Sequence, residues 1–505
     1  MSGWLAICLP ALPLQLAARA MPFAGPLAIT EGPSERPLIA FCNEPAGAAG
    51  IAPSMKLAAA QALVHRLTAV PRNPDHERDA LHELACWAYQ FSAQVTIRTG
   101  TSSSGLVLET GGSERLFGGR SELHRRIRRE LGSLGYQAAF GHATTPGAAW
   151  LIGTARASGL PARDAQTDGQ LYAALASLPL ATLEWDADTS GLLQALGLTT
   201  IGQLLGLPRD AFARRFGTER LDQLDRALAL QPDPQPSFSP PERFAARIEL
   251  PADVTQSAQL MFPAHRLLRS LEGFLRGRNA GATELMFTAH HNPRGAHAAA
   301  ATRIALALAA PEHDAGRLAK LLSERLTRVS LPAPAVELSL AVERLAPFQA
   351  LNASLLPPSQ DSVRNGLDWL QLAETLHARL GSERVFQLQA VDDHRPEHAI
   401  RIVPLAVERD GSRPPILPPA LQRPLLILPA PHPLPQQDEQ PDYGGQLALV
   451  AGPERIEAGW WDFGDPHRPT VHRDYFVAHN PRGQTLWIYR ELKQPRGWYL
   501  HGFFC

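Results

Sequence analysis

The chain is organised around the stretch SSGLVLET, residues 103–110, which the turn LFGG follows at 116–119. The run Leu106–Glu109 predicts a short buried strand, since it opens with three aliphatic residues. Just before this run stand Ser104 and Gly105, two small residues without charge. A hard cation such as Mg²⁺ prefers carboxylate oxygens, and these two positions supply none.

Strands and helices are predicted to alternate on both sides of this strand up to about residue 165. The chain begins with an apolar strand, Trp4–Leu9, that turns through Pro10 and Pro13 into a helix. Further predicted elements are a strand at Pro37–Cys42, a helix opening at Ile51–Met55 and ending at Leu63, a helix over 78–90, and a helix at Ser121–Leu134 with Ser121 as its cap. This alternation indicates an α/β or α+β domain.

Length, net charge and cysteine content limit the number of domains and the classes of function that the chain can have. A chain of 505 residues is too long for one hydrophobic core, so about three or four domains are expected. The net charge of −1 means that any nucleic-acid surface is local. The four scattered cysteines form no C-x-x-C pair, which argues against a zinc site or a disulfide framework. We therefore expect a protein of the reducing cytoplasm, and no apolar stretch is long enough to predict a transmembrane helix.

The order of elements resembles the palm and fingers of Y-family DNA polymerases, which are translesion enzymes. The resemblance implies a D-x-D motif on the first strand and an S-x-D-E-A motif on a later one, whose carboxylates hold two Mg²⁺ ions. Cys8 and Pro10 stand at the two aspartate positions, and Ser104 and Gly105 stand at the Asp-Glu pair. The catalytic positions that the resemblance implies are therefore degenerate.

The segment that the resemblance assigns to the fingers also lacks the expected binding residues. Glu44 and Gly47 stand opposite the family's Tyr and Arg that contact the triphosphate, and Pro146 stands at the position of its lysine. Because every group that would bind metal or triphosphate is replaced, the resemblance implies a protein that is not an enzyme and has no catalytic residues, metal or cofactor. The enzymatic alternative is an active translesion polymerase with unusual metal ligands such as Glu109 and Asp186.

Three segments resemble the ImuB-type proteins, a polymerase-like family of the bacterial mutasome. They are GWLAICLPALPLQLAAR at 3–19, the LFGG turn, and the region from GPERIEAGWWD to WYLHGFF at 452–504. The resemblance implies a DNA-binding adaptor in the translesion synthesis of the SOS response to DNA damage. Its implied partners are damaged or primer-template DNA, the sliding clamp, an error-prone C-family DNA polymerase and the RecA-like protein ImuA. A third hypothesis is a DNA-binding structural protein with no polymerase partner.

The predicted fold class is an α+β multidomain protein that resembles a Y-family polymerase. The expected parts are palm and fingers at 1–168, a helical thumb at 169–230, a Pro-rich linker at 231–242, a little finger at 243–346, a second linker at 347–366 and a C-terminal partner-interaction region at 367–505. The little finger shows the ferredoxin-like order βαββαβ. The C-terminal region is predicted to begin with a helix at Leu367–Leu380 and to end in a small β-rich unit with an aromatic core.

Two groups of residues are predicted to contact DNA phosphates. In the thumb, LGLTTIGQL at 196–204 resembles a helix-hairpin-helix, whose turn would expose backbone N–H groups to a phosphate. In the little finger, three arginines share one helix face and a fourth follows the helix. The predicted DNA-binding residues are Gly197, Thr199, Gly202, Arg266, Arg269, Arg276 and Arg278. An ordinary helical hairpin and a solvated arginine face are the alternatives.

The second linker contains a predicted clamp-binding peptide. This peptide resembles the bacterial sliding-clamp motif Q-L-S-L-F and lies just beyond the little finger in a Pro-bounded segment. Its residues are Asn352, Ala353, Ser354, Leu355 and Leu356. The alternative is a linker whose apolar residues pack on its own domain. Farther along, Asp393, His394 and His398 stand without further ligands in the sequence around them, so no metal site is predicted there.

Overall fold

The computed structural model describes residues 3–19, 25–33, 35–100, 103–291, 300–348, 372–381, 384–404, 423–437, 439–462 and 470–504. The chain forms two compact units, Met1–Arg379 and Leu380–Cys505. The first unit mixes helices and strands and the second is rich in strands, which confirms the predicted α+β class. Among the described helices, none combines the length and the apolar character that crossing a membrane requires.

The N-terminal part of the first unit alternates strands and helices. Its elements are β1 (Trp4–Pro10), α1 (Leu12–Arg19), β2 (Leu27–Glu31), β3 (Leu38–Cys42), α2 (Glu44–Ala48), α3 (Leu57–Leu63), β4 (Thr68–Pro71), α4 (Pro74–Ala88), β5 (Val95–Thr99), β6 (Ser103–Glu109), α5 (Arg120–Ser133), β7 (Ala139–Ala143) and α6 (Pro146–Ala157). The palm sheet has the order β5-β6-β1-β7, and a small fingers sheet has the order β3-β2-β4. Strands β2, β4, β5 and β7 and helices α2 and α6 were not predicted, and the cap of α5 is Gly119 rather than Ser121.

Both faces of the central strand β1 are buried, which explains its uninterrupted apolar sequence. Leu5, Ile7 and Leu9 pack with residues of α4 and α5 on one face of the palm sheet. Ala6 and Cys8 pack with residues of α6 on the other face. Successive side chains of a strand point to opposite faces, so the two helical layers together bury the whole strand. The palm is therefore a three-layer unit with its sheet in the middle.

The thumb is helical, as predicted, and shares its core with the palm. Its helices are α7 (Asp168–Ala176), α8 (Ala187–Ala195), α9 (Ile201–Leu205), α10 (Arg209–Phe216) and α11 (Thr218–Ala227). Leu171, Leu193 and Phe212 belong to the same apolar cluster as Ala6 and Cys8 of β1. The thumb thus extends the helical layer that α6 forms on the palm sheet.

The Pro-rich linker is an ordered strap along the edge strand β5. The backbone N–H of Phe238 donates to the carbonyl oxygen of Val95 at 2.7 Å. The hydroxyl of Thr96 donates to the carbonyl oxygen of Pro236 at 2.8 Å. Because proline lacks an N–H, the strap makes only some of the bonds of a true edge strand. The connection between thumb and little finger is therefore fixed to the palm.

The little finger has the predicted βαββαβ order. Its elements are β8 (Ala245–Val254), α12 (Met261–Gly277), β9 (Ala280–His291), β10 (Ala301–Glu312), α13 (Ala315–Leu326) and β11 (Ala335–Pro347). The antiparallel sheet has the order β10-β9-β11-β8, and apolar residues of both helices join its core. A helical segment at 372–380 also packs here, since Ala378 lies in this core. The predicted helix at the start of the C-terminal region therefore belongs with the little finger.

The second unit contains the predicted small β-rich fold. Its strands are β12 (Phe386–Ala390), β13 (Ile400–Pro404), β14 (Leu426–Leu434), β15 (Gln436–Gln437), β16 (Gln440–Pro441), β17 (Ala448–Ala458), β18 (Val471–His479), β19 (Thr485–Glu491) and β20 (Gly497–Phe503). Five of them form a sheet in the order β14-β20-β19-β18-β17. Tyr475, Trp487 and Tyr489 are buried in it, which confirms the predicted aromatic core, whereas Trp460 and Trp461 are exposed.

Candidate functional site

The two stretches that the resemblance assigns to the metal-binding motifs lie next to each other on the palm sheet. Strands β1 and β6 pair antiparallel, so that Cys8 lies opposite Gly105 and Pro10 lies opposite Ser103. Ser104 follows in the same ladder. Directly opposite residues of paired strands share one face of the sheet. The positions that the resemblance assigns to metal ligands are therefore neighbours in space.

Gly105 has no room for a side chain. A Cβ built on its backbone would lie well under 3.0 Å from the carbonyl oxygen of Ile7 and 3.2 Å from the Cα of Cys8. Both atoms belong to the backbone of the neighbouring strand, so no change of rotamer could relieve the overlap. A carboxylate at this position would require β1 and β6 to move apart.

The Cys8 thiol is enclosed between the palm sheet and α6. Its Sγ lies 4.0 Å from the carbonyl oxygen of Trp150 and 4.0 Å from the hydroxyl oxygen of Thr154. A Cβ on Gly153 would come within 2.7 Å of the same sulfur. Burial raises the pKa of Cys8 to about 12. The thiol is therefore protonated at neutral pH, and a neutral sulfur is a poor ligand for Mg²⁺.

A cationic side chain stands in the same row of the palm sheet. Arg98 on β5 pairs with Gly105, Gly105 pairs with Cys8, and Cys8 pairs with Ala139 on β7. Across these four described strands, the row contains no carboxylate. The row to which the resemblance assigns metal ligands thus contains an arginine.

Arg98 also fixes the linker to the palm. Its guanidinium donates to Oε1 of Gln235 at 2.9 Å and lies 5.9 Å from the ring centroid of Trp150. Burial lowers the pKa of Arg98, and the carboxylate of Asp233 opposes that shift. The sequence did not single out Arg98, because one arginine in a short strand forms no motif. Only the register of the strands reveals its position.

One carboxylate approaches this row from the thumb. Glu184 has a left-handed backbone with φ of 52°, and a Cβ on Gly100 would lie well under 3.0 Å from its Oε2. Burial is the main cause of the raised pKa of Cys8, and the negative charge of Glu184 raises that pKa further. Sequence reasoning missed Glu184, since no spacing links a residue of the thumb to a strand of the palm.

The two alternative metal ligands suggested by the sequence lie elsewhere. Glu109 is opposite Trp4 at the far end of β6, about 13 Å along the strand from Gly105. Asp186 caps α8, where it accepts a hydrogen bond from the N–H of Thr189 at 2.9 Å. This bond is the main reason why the pKa of Asp186 falls to about 2. Glu109 thus lies at the other end of β6 from the row of Cys8, and Asp186 serves as the cap of a thumb helix.

The positions that the resemblance assigns to triphosphate binding lie in or at the start of helices. Glu44 and Gly47 lie in the short helix α2, and Pro146 begins α6, where proline fits without losing a hydrogen bond. The hydroxyl of Thr145, the cap of α6, donates to the carbonyl oxygen of Ala227 at 2.8 Å. The start of this helix therefore connects palm and thumb.

The thumb contains the predicted hairpin between α8 and α9. Gly197 forms the turn with φ of 73°. The side chain of Gln203 accepts a hydrogen bond from the N–H of Thr199 at 2.8 Å, and the same residue forms a capping box with Thr200. A Cβ on Gly202 would lie 2.9 Å from the carbonyl oxygen of Ala176, so this glycine permits close packing of α9 on α7. The hairpin is confirmed, and its contact with DNA stays a prediction.

Two arginines on one face of α12 form ion pairs with carboxylates of the protein itself. Arg269 and Arg276 pair with Glu272 on the same helix, at 2.8 Å and 2.6 Å. The guanidinium of Arg276 also lies 3.9 Å from Glu130 of the palm helix α5. The predicted shared helix face is present, but it lies near the palm rather than in open solvent.

The other two predicted arginines also have partners inside the protein. Arg266 lies 4.4 Å from the ring centroid of Phe262. Burial, together with the positive charge of Arg19, lowers the pKa of Arg266 to about 10. Arg278 donates to the carbonyl oxygen of Pro240 in the linker at 3.0 Å. Palm and linker thus cover part of this face, which speaks against the alternative of a solvated arginine face, and the contact of these arginines with DNA stays a prediction.

Comparison with known proteins decides the family. The profile of the IMS: impB/mucB/samB family matches residues 14–154. Protein ImuB of Caulobacter vibrioides (strain NA1000 / CB15N) is 30% identical over 485 residues, which are 90% of this chain and 100% of the relative. The chain belongs to the ImuB family. Protein ImuB of a second strain of the same species, ATCC 19089 / CIP 103742 / CB 15, has the same identity and coverage.

Solved structures that match part of this chain include a DNA polymerase and a DinB protein. The insertion ternary complex of Dbh DNA polymerase is 13% identical, with a TM-score of 0.39. DinB from Sulfolobus solfataricus is also 13% identical, with a TM-score of 0.36. In both comparisons the match covers 67% of this chain and 98% of the other. As an ImuB-family protein, the chain is polymerase-like and belongs with the machinery of translesion synthesis that answers DNA damage.

Proposed function

We propose that this ImuB-family protein is a non-catalytic DNA-binding adaptor in damage-induced translesion synthesis. It binds damaged or primer-template DNA and docks on the sliding clamp. It thereby brings an error-prone C-family polymerase and the RecA-like ImuA to the lesion, and the chemistry belongs to that polymerase. The observation that carries this proposal is the row Arg98, Gly105, Cys8 and Ala139 on the palm sheet.

This row is unsuited to metal-assisted phosphoryl transfer. The reaction requires oxygen ligands that hold two Mg²⁺ ions about 4 Å apart. Gly105 leaves no space for a ligand, Cys8 presents a protonated thiol, and the charge of Arg98 repels divalent cations. Glu184 supplies a single carboxylate from the thumb, which is too few for two ions.

Primer extension by the purified protein tests this proposal. We expect no extension above background with Mg²⁺ or Mn²⁺ and all four deoxynucleotides, while a gel-shift assay on the same sample still detects bound DNA. An active Y-family polymerase, diluted to the level of a trace contaminant, sets the background. Extension that survives a second purification would contradict the proposal and favour an active polymerase with unusual ligands.

DNA binding is proposed to use the thumb hairpin and the arginines of α12. At the hairpin, a phosphate would share the N–H groups near Gly197, Thr199 and Gly202 with the side chain of Gln203. At α12, phosphates would take the place of Glu272 as partners of Arg269 and Arg276. Phosphate contacts of this kind depend on salt, because each one releases condensed counterions from the duplex.

Replacing Arg266, Arg269 and Arg276 together by alanine is expected to weaken DNA binding about tenfold or more. The slope of log affinity against log salt should become shallower by about 2 to 3, since three phosphate contacts are lost. Fluorescence anisotropy at several salt concentrations measures both quantities. The matched triple lysine variant keeps the charges and should retain most of the slope. An unchanged slope in the alanine variant would remove these arginines from the DNA interface.

Clamp binding is proposed to use Asn352–Leu356, which lie outside the described residues. Replacing Leu355 and Leu356 by alanine is expected to weaken binding to the bacterial sliding clamp at least tenfold, because two apolar anchors of a short docked peptide are lost. Surface plasmon resonance with immobilised clamp measures the affinity. The control changes Ser359 and Asp361, which lie outside the motif, and should bind as the unaltered protein does.

Equal clamp binding by the Leu355 and Leu356 variant would show that the segment is only a linker. Recovery of neither clamp nor C-family polymerase with the intact protein would favour the hypothesis of a structural DNA-binding protein.

The C-terminal region is proposed to bind the polymerase and ImuA. In its support, Leu388 and Ile402 are opposite each other on β12 and β13 and both are exposed, as are Trp460 and Trp461.

A further inference from the structure

The little finger carries a row of titratable side chains that the proposed function does not use. Glu249 on β8 is opposite Glu337 on β11, and Glu337 is opposite His290 on β9. The neighbouring residues Ile248 and Leu338 face the helices and lie in the domain core. Because side chains alternate along a strand, the Glu249–Glu337–His290 row lies on the sheet face away from α12 and α13.

A histidine of the palm helix α4 completes this row. Nδ1 of His76 lies 3.0 Å from Oε2 of Glu249. Ligand atoms of His76, Glu249 and Glu337 all lie within 4.8 Å of one another. At the other end, Nε2 of His290 lies 3.7 Å from Oε1 of Glu337. Two carboxylates are thus flanked by two imidazoles, and the four groups come from four different elements.

Two carboxylates directly opposite each other favour a positive charge between them. Like charges directly opposite each other on neighbouring strands destabilise a sheet. Arg247 on β8 interacts electrostatically with both carboxylates, but its guanidinium is paired directly with Asp79 of α4 at 2.7 Å. A cation bound between Glu249 and Glu337 would remove the repulsion, and the imidazole of His76 would give that cation a nitrogen ligand.

We propose that His76, Glu249 and Glu337 bind a divalent transition-metal ion of the Zn²⁺ or Mn²⁺ type, with His290 as a nearby fourth group. Imidazole together with carboxylates is a ligand set for these ions, whereas Mg²⁺ and Ca²⁺ prefer oxygen alone. The three ligand atoms already lie within 4.8 Å of one another, and a glutamate side chain can turn about its χ angles toward a shared ion. The ion joins the palm helix α4 to the little-finger sheet, away from the degenerate catalytic row.

The site is open to an incoming ion. A cavity of about 110 Å³ lies beside it and is lined in part by His76, Glu249 and Arg19. Glu249 is exposed, and His76 and Glu337 are half-buried. A metal ion can therefore enter without unfolding of either domain, and a chelator can remove it in the same way.

Calorimetric titration of the untagged, chelator-treated full chain with ZnCl₂ tests the proposal. We expect saturable uptake of about one equivalent, and at least tenfold weaker binding in Glu337→Gln and in His76→Gln, which each remove one ligand. The matched controls are Glu343→Gln on the same strand and His82→Gln on the same helix. Both control residues are exposed and should leave the uptake unchanged.

Two results would overturn the assignment. The first is that the unaltered chain shows no saturable uptake of Zn²⁺, and none of Mn²⁺ by electron paramagnetic resonance, so that the row is an ion pair only. The second is that Glu337→Gln and His76→Gln take up Zn²⁺ as the unaltered chain does, so that the metal binds at other groups such as the thiols. Weaker binding in these two variants with unchanged controls supports the site.

Discussion

Alanine in place of Gly105 is expected to lower the free energy of unfolding of the palm by roughly 3 to 4 kcal/mol. The added methyl group would overlap the carbonyl oxygen of Ile7 and press on Cα of Cys8. Both atoms are backbone atoms of β1, which is buried on both faces, so the strand has no free side toward which it could move. The ladder between β1 and β6 must therefore open locally.

Amide hydrogen exchange measures this effect at the affected strands. The N–H groups of β1 and β6 should exchange faster in Gly105→Ala, whereas those of the C-terminal unit should be unchanged. The matched control is Ser104→Ala, one residue away and half-buried, for which a change within about 0.5 kcal/mol is expected. Unchanged protection of β1 in the Gly105 variant would show that the strand pair accommodates a side chain. In that case a carboxylate could be restored there.

The sequence pattern predicted the palm well where local physics determines the structure. The apolar run of β1 and the helical spacing of Leu81 and Leu84 on α4 both indicated burial, and both are buried. The register of the strands could not be predicted in this way, because it depends on contacts between segments far apart in the chain. For this reason Arg98 and Glu184 were not recognised as neighbours of Cys8.

The arginines of α12 illustrate the same limit. Helical spacing correctly put Arg269 and Arg276 on one face, since that face follows from the period of the helix. It could not show that Glu272 and Glu130 lie within reach of their guanidinium groups, because the contact with Glu130 depends on how the little finger packs on the palm. Charge patterns along one helix therefore identify a face without identifying what covers it.

The largest loss of stability is expected in the C-terminal unit, from replacement of Arg473 by alanine. Its guanidinium lies 2.9 Å from Glu397 and 3.3 Å from Glu491, and it donates to the hydroxyl of Tyr475 at 3.2 Å. The Arg473 side chain is only 10% exposed. Removing it leaves two partly buried carboxylates without their shared cation, which costs roughly 3 to 5 kcal/mol.

Thermal unfolding followed by near-ultraviolet circular dichroism measures this loss, since Trp487 and Tyr489 report on the same sheet. The transition of the C-terminal unit should shift down by about 10 °C or more in Arg473→Ala. The matched control is Arg455→Ala. Arg455 pairs with Asp474 in the same sheet, and although the Asp474 side chain is only 13% exposed, that of Arg455 is 60% exposed. Solvent therefore screens this pair more than the Arg473 network, and a smaller shift is expected. Equal shifts in the two variants would mean that burial does not strengthen the Arg473 network. A larger shift in Arg473→Ala would identify this network as the polar centre of the unit, because it joins β18 and β19 to the segment that carries Glu397.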